Sequence, residues 1–177
     1  MRLRFSTPVA ATRRFWCATL AVLMTGMLAG CPSSPKVPLP FIPVPLSIFI
    51  QANDKINPDS KGRPSPAKVV IYELKSPAAF ESADFFSISQ KDQATLGAEM
   101  LSREEFFLRP GDSKTLTRKG NAESGFIGVF VEFRDIDQTV WRAVTAVPPA
   151  QQGVPAIMKP KSYHILLNQR GIKIFPL

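Results

Sequence analysis

The chain has 177 residues, with 22 Lys and Arg against 14 Asp and Glu, two Cys and one His. Four of the basic residues and no acidic ones lie in residues 1–30, so the rest of the chain carries 18 minus 14, or +4. Those remaining basic residues are scattered and form no basic stripe or nucleic-acid motif, which argues against DNA or RNA as a partner.

Residues 1–30 have the organisation of a bacterial secretory signal peptide. An arginine-rich start is followed by an apolar run over residues 15–28, which is shorter than the ~18 residues of a membrane-spanning helix. The run ends in LAGC, which resembles the lipobox of bacterial lipoproteins. That resemblance implies cleavage after Gly30 and lipid attachment to Cys31. Pro32 stands where lipoproteins retained in the inner membrane often carry Asp, so the sorting pattern implies the periplasmic face of the outer membrane.

An alternative is a signal-anchor helix, or an ordinary signal peptide followed by a chance cysteine. The position of Cys31, directly behind a correct charged region and apolar region, favours the lipoprotein. Cleavage leaves Cys31 as the single cysteine, so an intramolecular disulfide is excluded and the domain must be stable through its core alone. The remaining length allows one domain with such a core.

Residues 31–45 are predicted to form a tether between the lipid and a domain at 46–177. Residues 32–45 (PSSPKVPLPFIPVP) contain six prolines, which favour an extended polyproline II conformation. At about 3.1 Å per residue the segment reaches roughly 40 Å. It is also unusually apolar, so two alternatives stay open: it serves as a proline-rich ligand for another protein, or part of it packs along the domain.

The domain at 46–177 is predicted to be mainly β. A clear loop at 53–66 (NDKINPDSKGRPSP) separates the first two strands, and helical turns are predicted at 77–90 and 91–98, with Asp92 as an N-cap. Many short strands with turn signals between them favour a β-sandwich, with the helical insertion at one end. The predicted strands are 47–52, 68–74, 104–108, 113–117, 126–133, 139–147, 162–168 and 172–175. The strand at 126–133 is predicted to be central because both of its faces are apolar, and 139–147 is predicted to be its hairpin partner.

No residue pattern indicates catalysis, a metal or a cofactor. The single histidine, His164, has no accompanying nucleophile motif, and a lone histidine on a strand is more often structural. Asp135 and Asp137 could contact calcium but lack the spacing of a calcium loop, so a solvated turn is the better interpretation. Trp141 is predicted to anchor the core or a sheet face. We therefore predict no enzyme activity and no cofactor.

Several short motifs, taken in order, resemble one family. INPD at 56–59, GRPSP at 62–66 and VVIYELK at 69–75 are followed by ADFF at 83–86, FRD at 133–135 and WR at 141–142. Together they resemble the outer-membrane lipoprotein of type VI secretion, the TssJ family, over roughly residues 51–147. The long proline-rich link before the first strand departs from that pattern.

The resemblance implies a transthyretin-like β-sandwich with a small helical insertion and a structural role in the type VI secretion membrane complex. It implies binding to the periplasmic C-terminal region of an IcmF-like inner-membrane protein (TssM). The loop at 53–66 is the implicated contact, with Asn57, Asp59, Lys61 and Arg63 as candidate partner-binding residues. Its prolines limit its freedom before docking, and its slight positive balance suits electrostatic steering.

An alternative function is a periplasmic lipoprotein that binds a glycan or peptidoglycan. Exposed aromatic side chains on a sheet face would favour it, and Trp141 and Tyr163 are the candidates. A lipoprotein hydrolase that uses His164 is a third and weaker hypothesis.

Overall fold

The computed structural model describes residues 39–152 and 158–177. The predicted signal peptide and Cys31 lie outside these described residues. In the described ranges the strands are β1 (Phe41–Ile42), β2 (Leu46–Ala52), β3 (Ala67–Leu74), β4 (Met100–Leu108), β5 (Ser113–Arg118), β6 (Phe126–Glu132), β7 (Arg142–Ala146), β8 (Gln151–Gln152), β9 (Lys161–Asn168) and β10 (Gly171–Pro176). The helices are α1 (Ala78–Ser82) and α2 (Phe85–Leu96), followed by a 3₁₀ turn at Gly97–Glu99.

Two four-stranded sheets form a sandwich. The first sheet has the order β10-β9-β2-β5, and the second has the order β4-β3-β6-β7. All neighbouring strands are antiparallel except β2 and β9, which run parallel. The predicted β-sandwich with a small helical insertion is confirmed. The β6–β7 pair is the predicted hairpin, and β9 and β10 form a second antiparallel pair.

The core between the sheets is built by alternate residues of the inner strands. Successive side chains on a strand point to opposite faces, so every second residue of β2, β3, β6 and β9 faces inward. These positions carry branched aliphatic side chains that are almost fully buried: Leu46, Ile48, Ile50, Val69, Ile71, Ile127, Val129, Val131, Ile165 and Leu167.

The helical insertion covers the outer face of the second sheet. Phe80 of α1 and Ile88 of α2 are each 1 % exposed and pack with Tyr72 and Phe130, which point outward from β3 and β6. The predicted position at one end of the sandwich was therefore wrong. Because β3 and β6 are apolar on both faces, their second face also has to be covered.

The capping residue of the insertion is Asp84, so the prediction of Asp92 as an N-cap was wrong. The Asp84 carboxylate accepts a hydrogen bond from the backbone N–H of Ser87 at 3.0 Å, which is the usual N-cap contact. Asp92 lies inside α2, directly after Lys91, whose φ and ψ angles are not helical. Its carboxylate accepts a hydrogen bond from the Tyr72 hydroxyl at 2.8 Å, which fastens α2 to the second sheet.

The last residues of the proline-rich stretch lie on the domain. Phe41 and Ile42 form β1, which pairs with β8. Val44 is 9 % exposed, and the carbonyl of Pro45 accepts a hydrogen bond from the backbone N–H of Lys161 at 2.8 Å. Among the described residues, no helix is both long and apolar enough to cross a bilayer.

Candidate functional site

The loop at residues 53–66 lies at one end of the sandwich, which we call the distal end. The N–H of Ala52 donates to the carbonyl of Asp112 in the β4–β5 turn, and the N–H of Asn53 donates to the carbonyl of Leu167 near the end of β9, both at 2.9 Å. We call the opposite end, where the chain enters β2 at Leu46, the proximal end. Seven residues of β2 at about 3.3 Å each separate the two ends by roughly 20 Å.

Asn57 fixes the base of the loop. It is 4 % exposed, and its side-chain amide donates to the carbonyl of Pro66 at 2.7 Å. Its Oδ1 accepts the backbone N–H of Arg134 at 2.8 Å, which joins the loop to the β6–β7 connection. Its φ of 46° lies in the left-handed region, where Asn is better tolerated than most residues. The preceding Ile56 is fully buried in the core.

Asp59 shapes the tip of the loop. Its Oδ1 accepts the backbone N–H groups of Lys61 and Arg63, both at 2.9 Å, and its Oδ2 lies 2.8 Å from Arg63 Nε and 2.7 Å from the terminal guanidinium nitrogen. Gly62 has a φ of 77°, which glycine adopts readily. The backbone hydrogen bond from Arg63, with the guanidinium of the same residue, holds the pKa of the Asp59 carboxyl below its ordinary value.

The tip presents an exposed surface of polar and basic groups. Residues 60–64 are exposed, and the Arg63 side chain is 73 % exposed despite its ion pair with Asp59. Beside the tip, an open groove of about 600 Å³ is lined by Pro58, Asp59, Ser60, Arg134 and Asp135. The loop and the β6–β7 connection therefore form one continuous surface at the distal end.

The structure divides the four predicted loop residues into two roles. Lys61 and Arg63 are exposed, whereas Asn57 is buried and Asp59 is engaged by its own loop. Asn57 and Asp59 thus hold the conformation in which Lys61 and Arg63 are presented. Sequence reasoning missed Arg134, which it placed in a polar turn. The sequence offers no local signal for its contact with Asn57, because the two residues are 77 positions apart.

His164 lies between aromatic rings. Its ring centroid is 5.2 Å from that of Phe49 and 6.1 Å from that of Phe175. It makes no hydrogen bond to a serine or a carboxylate among the described residues. No group of three or more metal-ligating side chains occurs in the part of the chain that the structure describes.

Trp141 and Tyr163 do not form the exposed aromatic surface that the glycan hypothesis requires. Trp141 packs edge-on against Phe85 and Phe130, with ring centroids 5.3 and 5.8 Å away. Tyr163 is 3 % exposed, and its hydroxyl donates to the carbonyl of Ala146 at 3.0 Å. The prediction that Trp141 is a packing anchor is confirmed.

Comparisons with known proteins agree on one family. A model of the family described as type VI secretion lipoprotein (VasD, EvfM, TssJ) matches residues 45–170. The structure is similar to the type VI secretion lipoprotein TssJ1 from Pseudomonas aeruginosa, with 30 % identity, a TM-score of 0.69, and coverage of 76 % of this chain and 97 % of that one.

Two further solved structures have the same fold. Lip from Serratia marcescens, a membrane-bound component of the type VI secretion system, is 28 % identical with a TM-score of 0.67, covering 77 % of this chain and 97 % of that one. A chain in a type VI membrane complex is 25 % identical with a TM-score of 0.60, covering 75 % of this chain and 98 % of that one. No curated protein matches the sequence.

Proposed function

Because the chain belongs to the type VI secretion lipoprotein family, we propose that it is the outer-membrane-anchored structural subunit of a type VI secretion membrane complex. Acylated Cys31 holds it to the inner leaflet of the outer membrane. The distal loop at 53–66 binds the periplasmic C-terminal region of the IcmF-like inner-membrane protein (TssM). The proposed role is scaffolding and involves no catalytic step.

The observation that carries this proposal is the internal order of the distal loop. The Asn57 side chain joins the base of the loop to Arg134 by a hydrogen bond. The Asp59 carboxylate closes the tip by accepting hydrogen bonds from the backbone N–H groups of Lys61 and Arg63 and from the Arg63 guanidinium. A loop that is already ordered loses little conformational entropy when it docks, so more of the contact energy appears as affinity. Its exposed tip lies at the end of the sandwich opposite to the point where the chain enters from Cys31.

Anchoring strengthens a modest interface. A lipid-held subunit is confined to the membrane surface, which raises its effective concentration near a partner that reaches the same membrane. More than one acyl chain is needed for stable attachment, and lipoprotein processing supplies two or three. The proposal therefore predicts a small contact surface, comparable to the distal loop and the adjacent Arg134 and Asp135.

The direct test is binding of the partner's periplasmic C-terminal region to charge variants. Lys61→Glu alters one exposed charge and keeps the backbone N–H that Asp59 accepts. We expect about tenfold weaker binding, or 1.4 kcal/mol, mostly through a slower association rate. Lys119→Glu at the proximal end is the matched control, since Lys119 is also exposed. Equal affinities for wild type and Lys61→Glu contradict the loop assignment.

The anchor is tested separately in cells. Cys31→Ser should move the protein from the membrane fraction to the soluble periplasmic fraction and stop type VI secretion. Secretion at the wild-type level by that variant contradicts the anchoring role. Cross-linking in intact cells, followed by mass spectrometry, should join residues 53–66 to an IcmF-like protein. Cross-links to cell wall alone favour the alternative below.

A second candidate function is glycan binding on the outer face of the first sheet. Phe49 and Phe175 on that face are 37 % and 44 % exposed and flank His164 in one row across three strands. Aromatic faces bind sugar rings through their apolar surfaces, so this row replaces Trp141 and Tyr163 as the candidate site. The test is sedimentation with purified peptidoglycan, where a protein that stays in the supernatant eliminates this function.

A further inference from the structure

Among the residues that the structure describes, three large apolar side chains near the proximal end are exposed. Leu39, Phe41 and Leu177 are 53 %, 68 % and 69 % exposed. Single exposed apolar residues are common on protein surfaces and need no explanation, and Phe86 and Phe107 are examples here. Leu39 and Phe41 precede the entry of the chain into β2, and Leu177 follows β10, whose last residue pairs beside the start of β9.

Backbone contacts bring those two chain ends together. The N–H of Lys161 donates to the carbonyl of Pro45 at 2.8 Å, and the N–H of Leu177 donates to the carbonyl of Ser162 at 2.9 Å. The segment that follows Phe41 and the residue Leu177 therefore both lie beside the start of β9. Beside them, a mainly apolar groove of about 630 Å³ is lined by Ile42, Pro43, Pro45, Thr117, Arg118, Lys119 and Met158.

Lysines border this apolar end. Lys119 and Lys159 are exposed, and the Lys161 ammonium donates to the carbonyl oxygen of Leu177 at 2.9 Å. The acidic Glu123 nearby is engaged in an ion pair with Lys75. Exposed apolar side chains with lysines near them match the boundary of a phospholipid layer, where acyl chains lie beneath phosphate groups.

The chain between Cys31 and the described domain limits how far this end can lie from a bilayer. Residues 31–38 separate the lipid-bearing Cys31 from Leu39. In the polyproline II conformation, eight residues span about 25 Å. Residues 39–45 belong to the domain, because Phe41 and Ile42 pair with β8 and the Pro45 carbonyl accepts a hydrogen bond from the first residue of β9.

We propose that the proximal end docks on the surface of the membrane that carries the anchor. Leu39, Phe41 and Leu177 insert at the level of the headgroups, and Lys119 and Lys159 contact phospholipid phosphates. The inference rests on the proposed function in one respect, because it takes Cys31 as the lipid-bearing residue. In the docked orientation, β2 points away from the bilayer, and the distal loop at its far end faces the periplasm.

Depth-dependent fluorescence quenching tests this pose. The full lipidated protein is reconstituted into vesicles of phosphatidylethanolamine and phosphatidylglycerol that contain nitroxide-labelled lipid. Since Cys31 is acylated, a bimane probe attaches only to an introduced cysteine, at Ala122→Cys in the proximal β5–β6 connection or at Ser60→Cys in the distal tip. Both positions are exposed. We expect strong quenching at 122 and none at 60, because the ends lie roughly 20 Å apart.

A second pair of variants shows whether the exposed apolar side chains cause the docking. Leu39→Glu with Phe41→Glu should abolish quenching at 122, whereas Phe107→Glu should leave it unchanged, since Phe107 has the same exposed fraction as Phe41 but lies on β4. Protein that floats with the vesicles but shows no quenching at 122 overturns the docking and leaves the anchor standing. Protein that does not float with the vesicles overturns both.

Discussion

The contacts of Asn57 give the sharpest prediction about the distal loop. Asn57→Ala removes the hydrogen bonds to Pro66 and Arg134, at 2.7 and 2.8 Å. Each lost bond costs about 1 kcal/mol, the low end of the range, because Pro66 and Arg134 are exposed enough for water to replace Asn57 in part. Alanine at a φ of 46° adds roughly 1 kcal/mol of backbone strain. We expect the free energy of unfolding to fall by about 3 kcal/mol.

Two further variants separate these contributions. Asn57→Gly tolerates the positive φ and loses only the hydrogen bonds, so it should cost about 2 kcal/mol. Asn53→Ala is the matched control in the same loop, because Asn53 is exposed and its side chain accepts one local bond from the N–H of Lys55 at 2.6 Å. We expect the control to lower stability by less than about 1 kcal/mol.

Urea unfolding followed by tryptophan fluorescence measures all three variants. The chain has two tryptophans, and Trp16 lies in the predicted signal peptide, so Trp141 is the single probe of the mature protein. It packs between Phe85 and Phe130 and reports on the global core. A midpoint for Asn57→Ala equal to that of Asn53→Ala would refute the reasoning, since Asn57 would then not hold the loop to the domain.

Three other predictions concern the stability of the fold. Gly171→Ala should lower stability by about 3 kcal/mol in a thermal melt, because φ is 123° and a Cβ would lie 2.3 Å from a backbone oxygen. Arg118→Met should lower the free energy of unfolding, measured in urea, by about 3 kcal/mol, because it leaves the Glu73 carboxylate (6 % exposed) without its cation. Adding Glu73→Leu should restore most of that lost stability. Burial opposes ionisation of Asp92, but the hydrogen bonds it accepts lower its pKa below 3.8. The ionised Asp92 carboxylate therefore stabilises the fold above pH 3.8, and this stabilisation is lost as the pH falls through its lowered pKa. The free energies of unfolding of wild type and Asp92→Asn should thus become equal in acid.

The pairing of strands was predictable because it depends on local patterns. In residues 126–133 both faces are apolar, which predicts a central strand, and β6 lies between β3 and β7. The turn signal at 134–138 then requires an antiparallel return, and β7 supplies it. Sequence periodicity records which faces of a strand are buried, but it does not record what buries them. The location of the helical insertion on the outer face of the second sheet was missed for that reason.

The roles within the distal loop could not be predicted, because they depend on contacts between distant residues. The sequence marks 53–66 as a loop through its Asn, Asp, Gly and Pro residues. Nothing local distinguishes buried Asn57 from exposed Asn53. The difference arises from Arg134, which reaches Asn57 only after the second sheet has formed. Asp92 is a similar case, since Tyr72 and Arg103 engage its carboxylate from two other elements.

The position of β2 connects the proposed anchor with the proposed contact. The chain enters β2 at the proximal end and leaves it at Ala52, where the distal loop begins. Strand β2 is paired on both sides, with β5 over Leu46 to Gln51 and with β9 over Leu46 to Ala52. Ladder hydrogen bonds lie across the strand direction in the antiparallel pair and slant in the parallel pair. In the proposed assembly, a pull between the lipid and the partner would therefore act along β2 and load both ladders together. This pairing would give the domain its resistance to such a pull without a disulfide.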